Sequence, residues 1–127
     1  MNAPRRELIM LASENDALTG GKVGGVGDVV RDLPVALSPL GWNTTVIIPA
    51  YGFLHKENPS QLVSSIQFPF AGKSTTGELY QVTPKEPVQG VTHLVFEHAE
   101  IRGEPLYCND PPGETFYATA SRGPGLP

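Results

Sequence analysis

The sequence predicts an α/β fold: an open parallel sheet with a β-hairpin inserted at one edge. Three observations lead there. Leu8-Ile-Met-Leu-Ala12 and Val46-Ile-Ile48 are short, continuous apolar runs, the pattern of strands buried on both faces of a parallel sheet. Between them a glycine-rich loop runs into residues of helical apolar spacing, and the short return to the second run fits a right-handed βαβ unit. Further on, residues 61–70 and 78–83 have alternating or β-branched character and bracket Gly72-Lys-Ser-Thr-Thr-Gly77, which reads as a hairpin turn.

Residues 1–5 read as a loose tail and Glu7 to Ser13 as the first strand. Glu14 falls at the strand's C-terminal end, where open α/β sheets bind ligands. Two roles stay open for it: a ligand contact, or an acceptor for backbone N–H groups of the loop that follows. That loop, within Thr19 to Asp32, holds five glycines and one lysine, Lys22. Gly24 and Gly25 let a ligand approach the backbone without a Cβ in the way. The free N–H groups and dipole of a helix start favour an anion, and Lys22 adds a mobile positive charge. The combination suits a phosphorylated ligand or a sugar nucleotide; a plain flexible turn with a solvated lysine satisfies the same pattern. Two common phosphate motifs fail. The glycines and Lys22 miss the Walker A offsets and no Ser or Thr follows the lysine, while Gly25-Val-Gly27 begins a dinucleotide fingerprint whose third glycine position is Val30.

Asp28 precedes an apolar stripe of Val29, Val30, Leu33, Ala36, Leu37 and Leu40, so it is expected as the helix N-cap, with a ligand contact as the alternative. Arg31 and Asp32 are expected in solvent. Pro34 should kink the helix and Gly41 should end it. Trp42 to Pro49 is the second strand, and Pro49-Ala-Tyr-Gly52 a turn beside the glycine loop. Tyr51 either lines a sugar site or anchors that turn. Residues 53–59 read as loop, with His55 and Lys56 solvated. After the hairpin, residues 84–90 form a turn and Thr92 to Glu97 a strand parallel to the first two, flanked by His93 and His98 at no metal-ligand spacing. Residues 101–114 are irregular, residues 115–122 look like a helix start, and Gly123-Pro-Gly-Leu-Pro127 breaks it.

Composition narrows the function classes. The 127 residues suffice for one domain, and a net charge of −4 without a basic run argues against general nucleic-acid binding. The single cysteine, Cys108, rules out an intramolecular disulfide and any cysteine cluster for a metal. No apolar run is long enough to span a membrane, and the short run after Arg5-Arg6 is interrupted by Glu7 and lacks a leader's cleavage site. A cytoplasmic protein is expected, with no cofactor.

The ordered string carries more than its glycine content. Ala12-Ser-Glu14, Lys22-Val-Gly-Gly-Val-Gly-Asp-Val29, Leu33-Pro34, Leu40-Gly41 and Val46-Ile-Ile-Pro-Ala-Tyr-Gly52 closely resemble the opening of the bacterial glycogen synthases and plant starch synthases. Val26 stands where that family usually has leucine, and the resemblance weakens beyond Gly52. It implies a Rossmann-like sheet, the partial N-terminal domain of a two-domain GT-B glycosyltransferase, over residues 1–127, with the second, C-terminal Rossmann-like domain missing. It implies that the full enzyme transfers glucose from ADP-glucose or UDP-glucose to the non-reducing end of an α-1,4-glucan, with retention. Lys22 would contact the nucleotide sugar's phosphates, Gly24 and Gly25 would admit the substrate, and Asp28, Glu14 and Tyr51 would line the site. No catalytic residue is carried over, because the family's basic clamp and carboxylate lie in the second domain. The chain on its own is therefore expected to be inactive or nearly so. Two other readings stand beside this one: a binding module for sugar nucleotide or glucan, and a structural remnant whose loop binds nothing.

Overall fold

The structure, a computed structural model, describes residues 4–102. Five strands form one sheet in the order β1-β2-β5-β4-β3. Strand β1 (Arg6–Leu11) leads through the glycine loop to helix α1 (Gly25–Leu37), a 3-10 turn (Ser38–Leu40) and strand β2 (Trp42–Pro49). A one-turn helix α2 (Leu54–Glu57) precedes β3 (Ser60–Phe70), β4 (Lys73–Val82) and β5 (Val91–Glu97). β1, β2 and β5 are parallel, whereas β3 and β4 are antiparallel additions beyond β5. The expected open α/β sheet with a hairpin at its edge is what the chain builds.

The centre of the sheet is β2. Its Thr44, Val46 and Ile48 are buried in alternation, and they pack with Val95 of β5, Val82 of β4 and Leu18, Val30 and Leu54 from the elements around them. β1 departs from expectation. Its apolar run predicts burial on both faces, yet Ile9 is 67% and Leu11 75% exposed. The reason is position: among the described residues β1 is an edge strand paired only with β2, and none of them covers that face.

Helix α1 also turns differently from the expected stripe. Gly27, Val30 and Pro34 are its buried residues, while Val29, Leu33 and Leu40 are exposed. Val30 keeps its place in the expected stripe, but Gly27, which lies against Glu14 and Lys22, and Pro34 share the inward face with it. The helix runs through Pro34 to Leu37; the Ser38 N–H donates to the Pro34 carbonyl, and Gly41 (φ 95°) closes the 3-10 turn by donating to Ser38. The hairpin turn is shorter than expected. Ala71 and Gly72 both have positive φ (53° and 77°), as two-residue hairpin turns require, so Lys73 to Gly77 belongs to β4. Residues 53–59 are not all loop: α2 buries Leu54, and His55 stacks on Tyr80 at 4.7 Å between ring centroids. The expectations for residues 103–127 lie outside the described residues.

Candidate functional site

The C-terminal ends of β1, β2 and β5 point the same way, since the three strands are parallel. Each end carries a device that fixes a loop. At the end of β1, Glu14 is buried and its Oε1 accepts the N–H groups of Gly24 (3.0 Å) and Gly27 (2.6 Å). These are donors at the start of α1, whose N-cap, Gly24, provides no side-chain cap of its own. Glu14 therefore does from a distance what the sequence assigns to Asp28: it places a carboxylate on the positive end of the helix. At the end of β2, the Tyr51 hydroxyl donates to the Ser13 carbonyl at 2.8 Å, and the ring is buried. At the end of β5, Glu97 accepts the Gly52 N–H at 3.0 Å and pairs with Arg102 at 3.3 Å.

Asp28 lies in the first turn of α1 and pairs with Lys22, at 2.9 and 3.1 Å. This contact raises the lysine pKa above its ordinary value, so Lys22 is a cation at any physiological pH. Arg31, expected in solvent, reaches Asp16, Asp28 and Asp32, and Asp16 also receives Lys85 at 3.2 Å. A chain of charges thus runs from the glycine loop along α1 to the segment after β4.

The glycines divide by what a side chain would meet. A Cβ at Gly21 would lie 2.2 Å from the Asn15 carbonyl oxygen, and one at Gly27 would crowd Glu14 and Lys22 at 3.2–3.3 Å. A Cβ at Gly25 would meet nothing within 4 Å, and one at Gly24 only Glu14 at 3.7 Å. Gly21 and Gly27 therefore shape the loop, whereas Gly24 and Gly25 leave its outer surface bare. The loop is further held by Asn58, whose side chain exchanges hydrogen bonds with both main-chain groups of Thr19 (2.9 and 3.0 Å).

Lys22, Gly24, Gly25, Asp28 and Glu14 thus lie together, and Tyr51 is joined to the same end of β1 through Ser13. The sequence reading missed Asn15, Asp16, Gly27, Asn58 and Arg102. Gly27 is visible in the motif; Asn15, Asp16 and Asn58 act across 15 to 78 residues of chain, Arg102 reaches Glu97 at the end of β5, and no local pattern marks them. Among the described residues no group of three or more His, Cys, Asp or Glu is placed to hold a metal. No helix among them is long and apolar enough to cross a membrane.

Comparisons with known proteins bear on the family and the fold. Residues 7–122 match the family model described as the starch synthase catalytic domain. A glycogen synthase of Gloeobacter violaceus is 54% identical over 33 residues, 26% of this chain and 7% of that one. Glycogen synthase 1 of Synechocystis is 44% identical over 48 residues, and the glycogen synthase of Koribacter versatilis 45% over 49; these cover 38% and 39% of this chain and 10% of each relative. The matches to these curated relatives thus span a tenth or less of their length. Among solved structures, the catalytic domain of starch synthase IV from Arabidopsis thaliana, bound to ADP and acarbose, superposes with a TM-score of 0.63 at 22% identity, over 84% of this chain and 22% of that one. That likeness is one of fold.

Proposed function

The chain belongs to the starch synthase catalytic domain family, and from that premise we propose that its glycine loop is the phosphate-holding part of a glucosyltransferase donor site. The donor is a nucleotide sugar, ADP-glucose or UDP-glucose, and the acceptor an α-1,4-glucan. In the complete enzyme the bond from glucose C1 to the diphosphate breaks, and a bond from C1 to the terminal glucan hydroxyl forms with retention. The hydroxyl loses its proton and the nucleoside diphosphate departs.

The observation that carries this reading is a loop whose shape is held by the chain's own hydrogen bonds. Glu14 holds Gly24 and Gly27, leaving a bare backbone surface at Gly25 beside the Lys22 ammonium. A bare backbone surface of fixed shape beside a cation suits a diphosphate, because little ordering cost falls at the moment of binding. Asp28 keeps the ammonium over the loop, and a phosphate arriving there shares Lys22 with it. Transfer also needs charge on the far side of the leaving diphosphate. Residues 4–102 supply one wall of such a site, so this stretch acts in binding and the second domain of the longer enzyme completes the reaction.

Titration calorimetry with ADP-glucose, on the chain and on Lys22→Ala, tests the reading. Binding that the substitution weakens about tenfold, roughly 1.4 kcal/mol, supports it. Equal binding by both forms, or none by either, removes the loop as a phosphate site. The binding-module reading predicts the same Lys22-dependent binding but no transfer when the rest of the catalytic domain is joined to this stretch; the remnant reading predicts no binding in any form.

A further inference from the structure

His93 lies in β5, between Val46 of β2 and Val82 of β4 in the ladder, and it is buried. Its Nδ1 is 2.8 Å from Asn15 Nδ2, a buried contact between residues 78 positions apart. The direction of this hydrogen bond can be worked out. Asn15 Oδ1 already accepts the Ala17 N–H at 2.9 Å, which fixes the amide with its Nδ2 toward the ring. Nδ2 only donates, so His93 Nδ1 must accept, and the proton of the neutral ring sits on Nε2.

Asn15 is also where the loop is tied to itself. Its N–H donates to the Gly21 carbonyl (2.8 Å), its carbonyl accepts from Leu18 (3.2 Å), and Gly21 leaves no room for a Cβ against it. Lys22 is the next residue. We propose that His93 is a positioning residue for the glycine loop: its neutral ring is the acceptor that latches Asn15, and a proton gained by that ring releases the latch. An imidazolium Nδ1–H would face the Nδ2–H groups of Asn15, donor against donor. Asn15 cannot turn its oxygen inward without abandoning Ala17.

The surroundings suit a ring kept neutral. Burial pushes His93 down to about 4, with no charged partner contributing. The ring lines two cavities. The one of about 470 Å³, beside Pro59, Pro84 and Pro87, has no charged lining; in the one of about 440 Å³ the charged groups are Asp16, Arg31, Asp32, Lys85 and Glu86. Of these, Asp16 is already paired with Arg31 and Lys85, and Asp32 with Arg31. What the latch does for a ligand rests on the phosphate reading above; the latch itself is a property of the free chain.

The test is therefore made without ligand, by ¹⁵N NMR and amide hydrogen exchange on the chain from pH 7 to pH 3.5. At neutral pH the ring should show the Nε2–H tautomer, and the amides of Asn15, Ala17, Gly21 and Gly24 should lose protection together as the ring titrates. His93→Gln offers a carbonyl acceptor that does not titrate, so it should keep the protection and abolish the acid step. His93→Leu should lower loop protection about fivefold at neutral pH, the size of one net hydrogen bond. Should that variant not fold, Asn15→Asp serves: its carboxylate demands an Nδ1–H and should move the ring titration upward by a unit or more. An Nδ1–H tautomer in the unaltered chain, an acid step that His93→Gln retains, or a titration unmoved in Asn15→Asp would overturn the proposal. Failure of nucleotide-sugar binding would touch none of these readouts.

Discussion

Strand β1 and the loop after it invert the usual rule of burial, and they do so within ten residues. Ile9 and Leu11 stand exposed on the strand, while Glu14 and Asn15, one turn of chain later, are each 1% exposed. The polar pair is buried because every direction it faces offers a partner: loop amides for the carboxylate, and Ala17 and His93 for the amide. The apolar pair is exposed because, among the described residues, β1 is the sheet's edge and nothing lies over that face. Local order at the loop thus comes from hydrogen bonds made across the fold together with the burial of Leu18. The buried carboxylate is also the more fragile of the two arrangements, since removing it strands the Gly24 N–H and leaves the Gly27 N–H only its longer bond to the Gly24 carbonyl.

That contrast can be broken at the loop first. Glu14→Ala leaves the Gly24 N–H without its acceptor and the Gly27 N–H with only the Gly24 carbonyl at 3.2 Å, and should cost about 3 kcal/mol, read as a lower urea midpoint, with loss of any Lys22-dependent binding. Gly21→Ala drives a methyl into the Asn15 carbonyl and should cost about 2–3 kcal/mol; the same denaturant series would show it, and a cost below about 0.5 kcal/mol would mean the loop gives way easily. Acid should act in the same place. The folded-state pKa of His93, about 4, lies below its unfolded value, so the unfolded chain binds more protons between them. Stability is then intact above about pH 6.5 and falls as pH drops toward 4, by roughly 2–3 kcal/mol, a slope that His93→Gln should flatten. The strand provides the sharpening control. Ile9→Thr or Leu11→Thr should change stability by less than about 0.5 kcal/mol, and light scattering should show less self-association, because an open apolar edge favours pairing between chains.

Much of the fold was legible. β2 spans the residues its apolar centre indicates, β5 joins it in parallel, and the hairpin sits at the edge. The strand–glycine loop–helix order placed Lys22, Gly24 and Gly25 together with Glu14. The errors share a cause. Val29 and Leu33 fit a helical stripe, but the buried residues of α1 are Gly27, Val30 and Pro34, with Gly27 set against Glu14 and Lys22 from the strand end and the loop. Asp28 has the chemistry of an N-cap, but the helix starts earlier, at Gly25, and Glu14 accepts its first amides from the strand end. Asn15 with His93, and Asn58 with Thr19, are contacts between distant residues, and periodicity and capping rules look only a few residues along the chain. The sequence indicates where a loop should bind; what holds the loop in shape is tertiary.

The turn at Ala71–Gly72 bears on time as well as shape. β3 and β4 close on themselves through two residues, so their pairing is local and can form in about 1–10 μs. β1, β2 and β5 pair across tens of residues and must first close long loops. The hairpin is therefore ready before the strand it will lie against, and its free flank stays open until β5 arrives. Ala71, at φ 53°, sits where Asn is favoured in such turns. Ala71→Asn should speed the hairpin step and shorten the interval in which an unpaired flank meets other chains.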